Sequence, residues 1–169
     1  MLKELITNVQ DYPKEGIDFK DITTLISNSD GFRESIEKLT RLIKDIDADF
    51  IVSPEARGFI FGSAVAFNLG IGFIPIRKKG KLPRETVGES YVLEYGEDSV
   101  YIHKDAVQKG DKIIIIDDLL STGGTSNAQI NLIEKLGGTV EALAYLIELE
   151  FLNPRVALPN REVLSVIKY

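Results

Sequence analysis

Residues 112–125, KIIIIDDLLSTGGT, constrain the fold of this chain more than any other stretch. Ile113 to Ile116 are apolar at every position rather than at alternate ones, so a strand built from them must be covered on both faces. That requirement excludes an edge strand or a one-sided sheet and calls for a central strand between two layers. Asp117 and Asp118 lie at its carboxyl end, where ligands sit in open α/β sheets. Leu119 to Thr125 then read as the turn into a helix. Gly123 and Gly124 permit positive φ and close approach of backbone to ligand. The N–H groups of a helix start, with the hydroxyls of Ser121, Thr122 and Thr125, make a socket for a phosphate. Two carboxylates beside that socket can accept from a vicinal diol. The ligand class this implies carries sugar hydroxyls and a phosphate, as a ribose 5-phosphate does.

The remaining pattern alternates strands with helices. Residues 29–46 place Phe32, Ile36, Leu39 and Ile43 on one helical face. Residues 49–58 read as a buried strand ending in a loop, 59–70 as a helix closed by Gly70, and 72–78 as the next strand. The polar, basic run 78–90 reads as loop, and 91–95 and 99–104 as two neighbouring strands. A helix over 125–138 presents Ile130, Ile133 and Leu136 and stops at Gly137, before a buried strand over 140–149 and a short edge strand over 162–167. The architecture predicted is α/β, with a mainly parallel central sheet flanked by helices in a single domain spanning 1–169.

Composition narrows the function. The net charge of −6 argues against a nucleic-acid face, yet Arg77, Lys78, Lys79, Lys81 and Arg84 concentrate positive charge where a small anion could be drawn in. No apolar run reaches the roughly 20 residues of a membrane span, so no membrane partner is expected. The first residues carry Lys3 and Glu4 and lack an apolar signal core, and the absence of cysteine fits a reducing, cytoplasmic setting. No G-x-x-x-x-G-K-[ST] or G-x-G-x-x-G is present, and the acids of a metal-binding receiver domain do not run into a T-G-G-T turn. The single histidine, His103, should face away from Val100 and Ile102 and has no nucleophile or ligand set beside it in sequence.

IIIIDDLLSTGGT resembles the phosphoribosyl-pyrophosphate signature of the type I phosphoribosyltransferases. YPKEGIDFKDIT, PEARGFIFG, IPIRKKGKLP and YVLEYG extend the resemblance over nearly the whole chain, to the purine branch of that family whose acceptor is adenine. The resemblance implies transfer of 5-phosphoribosyl from phosphoribosyl pyrophosphate to adenine with Mg²⁺, held through substrate oxygens and water rather than directly by protein. It implies that Asp117 and Asp118 hold the ribose, and that Ser121, Thr122, Gly123, Gly124 and Thr125 hold the 5-phosphate. Pyrophosphate falls to Glu55, Ala56 and Arg57, with a non-proline cis peptide at Glu55–Ala56, and to Arg77, Lys78 and Lys81. Glu94 becomes the general acid/base and Tyr95 closes the site. Adenine falls to Asp18, Phe19, Lys20 and Leu149, beneath a small N-terminal hood of residues 1–28, and Arg77 reaches towards a partner in a homodimer. The chain departs from the family pattern at Ser121, where alanine is usual, at Asp18, where an aliphatic residue is usual, and at Glu15, where proline is usual. Two alternatives stand beside this reading: another purine acceptor, such as xanthine or guanine, and a catalytically silent phosphoribosyl pyrophosphate sensor.

Overall fold

The computed structural model describes residues 2–93 and 96–169. Among these, a five-stranded sheet carries the fold: β3 (Phe50–Pro54), β4 (Gly72–Ile76), β7 (Lys112–Leu120), β8 (Thr139–Glu148) and β9 (Val163–Lys168), in the order β4-β3-β7-β8-β9. Every pairing in it is parallel. The isoleucine strand is therefore central, and β9 is an edge, as their patterns predict.

Period-two alternation explains why all four isoleucines are apolar. Ile114 and Ile116 enter a core with Leu39 of α2 (Ser29–Ile43) and Phe61 of α3 (Arg57–Leu69). Ile113 and Ile115 enter a second core with Val100, Ile102 and Ile130. All four are fully buried, at 0% exposure. The second core is closed by an antiparallel hairpin, β5 (Thr86–Leu93) with β6 (Gly96–His103), and by α4 (Gly124–Lys135). A smaller hairpin, β1 (Thr7–Val9) with β2 (Phe19–Asp21), and the single turn α1 (Thr23–Ile26) make up the N-terminal part.

Several predicted boundaries move. Helix α2 starts at an Asn28 cap whose side chain accepts from Gly31 N at 2.8 Å, but it stops at Ile43 rather than Ile46. Helix α3 begins at Arg57 rather than Phe59, so the arginine of EARG stands in a first helical turn and not in a loop. The basic loop is shorter than its composition implies, because β5 begins at Thr86 and pairs Thr86 with His103. Cross-strand pairing overrides the polar character of those residues. Strand β7 continues through Leu119 and Leu120, held by pairing to Ile147 and Glu148, so the turn predicted from Leu119 starts only at Ser121.

At the end of β8, Glu148 is buried at 1% exposure and accepts two hydrogen bonds from Arg155, Nε to Oε1 at 2.7 Å and Nη2 to Oε2 at 2.8 Å. Ser165 Oγ donates to Oε2 at 2.6 Å. The Arg155 guanidinium, aided by Ser165, holds the Glu148 carboxyl down to about 2. A carboxyl lowered on folding contributes stability that is complete above its ordinary value near 4.5 and is lost as pH falls through about 2. Acid titration followed by circular dichroism should therefore show Glu148→Gln less stable than wild type at pH 7, by up to about 3 kcal/mol. That gap should narrow towards pH 2; a gap independent of pH over this range would contradict the assignment.

Candidate functional site

Three adjoining recesses lie across the carboxyl ends of β3, β7 and β8. The first is lined by the 54–57 turn, Arg77, Lys78, Tyr91, Asp117, Asp118 and Thr125. The second is lined by Arg57, Asp117 and Asp118, by the last two residues of β7, by the 121–123 turn, and by Thr125 and Ser126 of the first turn of α4. The third lies between residues 14–20 on one side and Leu149, Phe151 and Leu152 on the other, and encloses about 550 Å³. Arg57, Asp117, Asp118 and Thr125 are common to the first and second, and Leu119, Ser121 and Thr122 to the second and third. The three form one groove, with the carboxylates between a basic end and an apolar end.

The middle is built on β7. Asp117 Oδ1 accepts from Asp118 N at 2.8 Å, which turns its carboxylate back along the chain. Burial raises Asp117 well above the ordinary carboxylate range, and the adjacent charge of Asp118 adds to this. Asp118 is itself buried, at 4% exposure, with Oδ2 3.0 Å from Arg57 Nε. That ion pair is close but not aligned as a hydrogen bond, so Oδ2 remains an unused acceptor. Gly58 is required beside it, since a Cβ there would stand 2.8 Å from Asp117 Oδ1.

The socket follows. Gly123 caps α4 at φ +86°, a left-handed conformation that other residues rarely adopt. No side chain caps the first turn of α4, so its N–H groups remain available to an anion. Tyr145 OH donates to Ser126 Oγ at 2.7 Å and ties that turn to the sheet.

At the basic end, the peptide between Glu55 and Ala56 is cis, as the resemblance implies. Glu55 Oε1 accepts from Lys78 N at 2.7 Å and Arg77 Nε at 3.3 Å, so its carboxylate anchors the turn. Lys78 Nζ is bound to Asp98 and also donates to Tyr91 OH at 3.3 Å, which fastens the hairpin to the groove wall. The Lys78 hydrogen bond holds Asp98 below the ordinary range. Lys81 is exposed on the loop outside the recess lining, its carbonyl accepting from Arg77 Nη1 at 3.3 Å. His103 does face away from the buried Val100 and Ile102, and contacts Arg84, with Nδ1 3.1 Å from Nη2.

At the apolar end, Asp18, Phe19, Lys20 and Leu149 all line the third recess. The Phe19 ring meets Tyr12 edge-on at 5.2 Å between centroids, and the Arg57 guanidinium stands 5.1 Å from its centroid. Lys20 Nζ donates to Asn8 Oδ1 at 2.8 Å and sits 4.4 Å from the Tyr169 ring, so it braces the small hairpin. Asp18 is exposed at the rim. Leu119, Phe151 and Leu152 were not among the sequence-derived candidates. The apolar pair 151–152, just past the carboxyl end of a buried strand, is the signal that could have found two of them. The roles predicted for Glu94 and Tyr95 fall on residues outside those described.

The profile of the phosphoribosyl transferase domain matches residues 23–150. An adenine phosphoribosyltransferase of Thermotoga neapolitana is 51% identical over 168 residues, covering 99% of each chain. The crystal structure of adenine phosphoribosyltransferase from Thermoanaerobacter pseudethanolicus has a TM-score of 0.97 at 48% identity, covering 99% of this chain and 98% of that one. The Saccharomyces cerevisiae enzyme, complexed with an imino-altritol bisphosphate and adenine, has a TM-score of 0.90 at 37% identity, covering 97% of this chain and 95% of that one. Matched in sequence along almost its whole length and in fold, the chain belongs to the phosphoribosyltransferase family, in its adenine phosphoribosyltransferase branch.

Proposed function

We propose that this chain transfers the 5-phosphoribosyl group of phosphoribosyl pyrophosphate to adenine, giving AMP and pyrophosphate in purine salvage. The observation that carries the reading is that a basic turn, a phosphate socket and an apolar recess adjoin one another around the paired carboxylates. A ribose held at the carboxylates would reach the socket with its 5-phosphate, and its anomeric carbon would face the basic turn for the departing pyrophosphate and the apolar recess for the incoming purine. The bond from the anomeric carbon to a pyrophosphate oxygen breaks, a bond to a purine nitrogen forms, and the purine gives up a proton. Asp117 and Asp118 orient the diol, and the 54–57 turn with Arg77 receives the leaving group. Phe19 and Leu149 hold the base between them. Glu94 is proposed to manage the purine proton and Tyr95 to close the site. Mg²⁺ would come in on substrate phosphate oxygens and water, as a hard cation that keeps part of its hydration shell. Its chemistry is to neutralise the departing pyrophosphate, and the unused acceptor Asp118 Oδ2 suits a hydrated ion or diol nearby. A homodimer in the cytoplasm belongs to the same proposal. No helix among the described residues is long and apolar enough to cross a membrane.

Pyrophosphate release measured with adenine, guanine, hypoxanthine and xanthine, with and without Mg²⁺, tests the reading. Turnover is expected with adenine alone and only with the metal, and Glu94→Ala should lower kcat by about 10²-fold or more. Turnover with guanine and none with adenine would replace the acceptor. Tight binding of phosphoribosyl pyrophosphate with no turnover on any purine would make the chain a sensor.

A further inference from the structure

The ion pair between Glu148 and Arg155 stands outside the groove, yet the segment it holds touches two parts of it. Residues 149–158 leave β8 at Leu149, pass through two short 3₁₀ turns and a left-handed Asn153, and return to the core at Leu158. One side of this segment supplies Leu149, Phe151 and Leu152 to the wall of the apolar recess. The other side backs the phosphate turn. A Cβ on Gly123 would stand 2.8 Å from Pro154 O and 2.9 Å from Ala157 Cβ. Leu149 is buried in the core, but Phe151 is 66% exposed and Leu152 42% exposed, so burial does not hold the outer part of this wall in place. Two side-chain tethers hold it: Glu150, whose Oε1 accepts from Lys168 Nζ at 2.7 Å between half-exposed partners, and Arg155, whose two donors meet both oxygens of the buried Glu148, with Ser165 locking the carboxylate from β9. A planar two-point bond of this kind fixes orientation as well as distance.

We infer that Arg155 and Glu148 form a positioning pair that sets the spacing between the base recess and the 5-phosphate socket. The inference rests on the proposed reading of those two recesses. A ligand that fills both at once needs them at the correct separation; a ligand that fills one does not. The pair should therefore matter far more to AMP than to its parts, because the gain from joining two fragments depends on simultaneous fit.

The test is calorimetric binding of adenine, ribose 5-phosphate and AMP to the full chain and to Arg155→Ala, Arg155→Lys and Ser165→Ala. For Arg155→Ala, AMP affinity should fall by about 30-fold, with adenine and ribose 5-phosphate each weakened by less than about 3-fold. Arg155→Lys keeps a cation without the fork and should lose an intermediate amount of AMP affinity, as should Ser165→Ala; these two milder changes carry the test if the alanine variant does not fold. In steady state the KM values should rise while kcat stays within about 3-fold, since no reacting atom is touched. Equal losses for AMP and its parts, or AMP affinity at the wild-type level in both Arg155→Lys and Ser165→Ala, would overturn the positioning role while leaving the site reading intact. A wild-type chain that binds none of the three ligands would overturn the site reading, and the positioning pair with it.

Discussion

Gly123→Ala is expected to be the most damaging single-methyl change in the site. The residue sits at φ +86°, where a Cβ costs about 1–2 kcal/mol. The new methyl would also meet Pro154 O at 2.8 Å and Ala157 Cβ at 2.9 Å, both parts of packed backbone or core rather than a flexible side-chain end. Overpacking of that kind adds about 1–3 kcal/mol, so a total loss of about 2–4 kcal/mol is expected in thermal or urea unfolding. Relief that moves the turn takes the socket N–H groups off the phosphate. The KM for phosphoribosyl pyrophosphate should then rise by about 10-fold or more. Gly124→Ala is the stability control: no positive φ is imposed there, and the nearest atom to its Cβ would be Thr122 Oγ1 at 3.9 Å. It should unfold within about 0.5 kcal/mol of wild type. If the two variants unfold alike, the close approach of residues 154–157 is not what shapes the turn.

Asp117→Asn should separate stability from activity. Burial and the neighbouring Asp118 raise the Asp117 carboxyl, so the folded chain holds that proton more firmly than the unfolded one does. The sign follows from linkage. Above the ordinary aspartate range the unfolded side chain ionises freely, while the folded one must ionise against burial and a like charge or keep its proton. Either way Asp117 lowers stability at neutral pH, and the penalty disappears towards acid pH. Asparagine cannot ionise, yet its Oδ1 can still accept from Asp118 N at the position seen here. The variant should melt a few degrees above wild type at pH 7 and level with it near pH 4. Activity moves the other way. An amide is a weaker acceptor for a diol than a carboxylate and puts an N–H₂ donor where the second carboxyl oxygen would accept, so kcat/KM should fall by about 10²-fold. A variant less stable than wild type at pH 7 would show that the two carboxylates do not strain each other in the fold.

Both predictions concern residues that the sequence placed at the site, for reasons the structure did not supply. Buried charge and glycine-rich turns are costly away from a ligand, so their pairing after an all-apolar strand carried information by itself. Boundaries were harder to read. Residues 86–90 carry a single apolar side chain, Val87, too few to show an alternation, and only pairing with residues 99–103 makes them a strand. Leu119 and Leu120 precede an evident turn, and only their register against Ile147 and Glu148 keeps them extended. Arg57 was legible as a site residue but not as a helical one, because nothing in EARG marks the start of a helix.

The site shows the same division. Asp117, Asp118 and the 121–125 turn are contiguous in sequence, so local chemistry was enough to name them. Phe151, Leu152, Glu148 and Arg155 were not, because their relation to the groove runs through a chain reversal and a packing contact with Gly123. A covered central strand, a phosphate turn at its end, and a basic cluster in an acidic chain could all be read from adjacent residues. Alternation, backbone permissiveness and charge are properties of neighbouring residues. The tertiary structure alone decided which residues wall the recess, which carboxylate meets Arg57, and how far the two ends of the groove stand apart. Those depend on contacts between segments distant in sequence, and no local pattern encodes a distance.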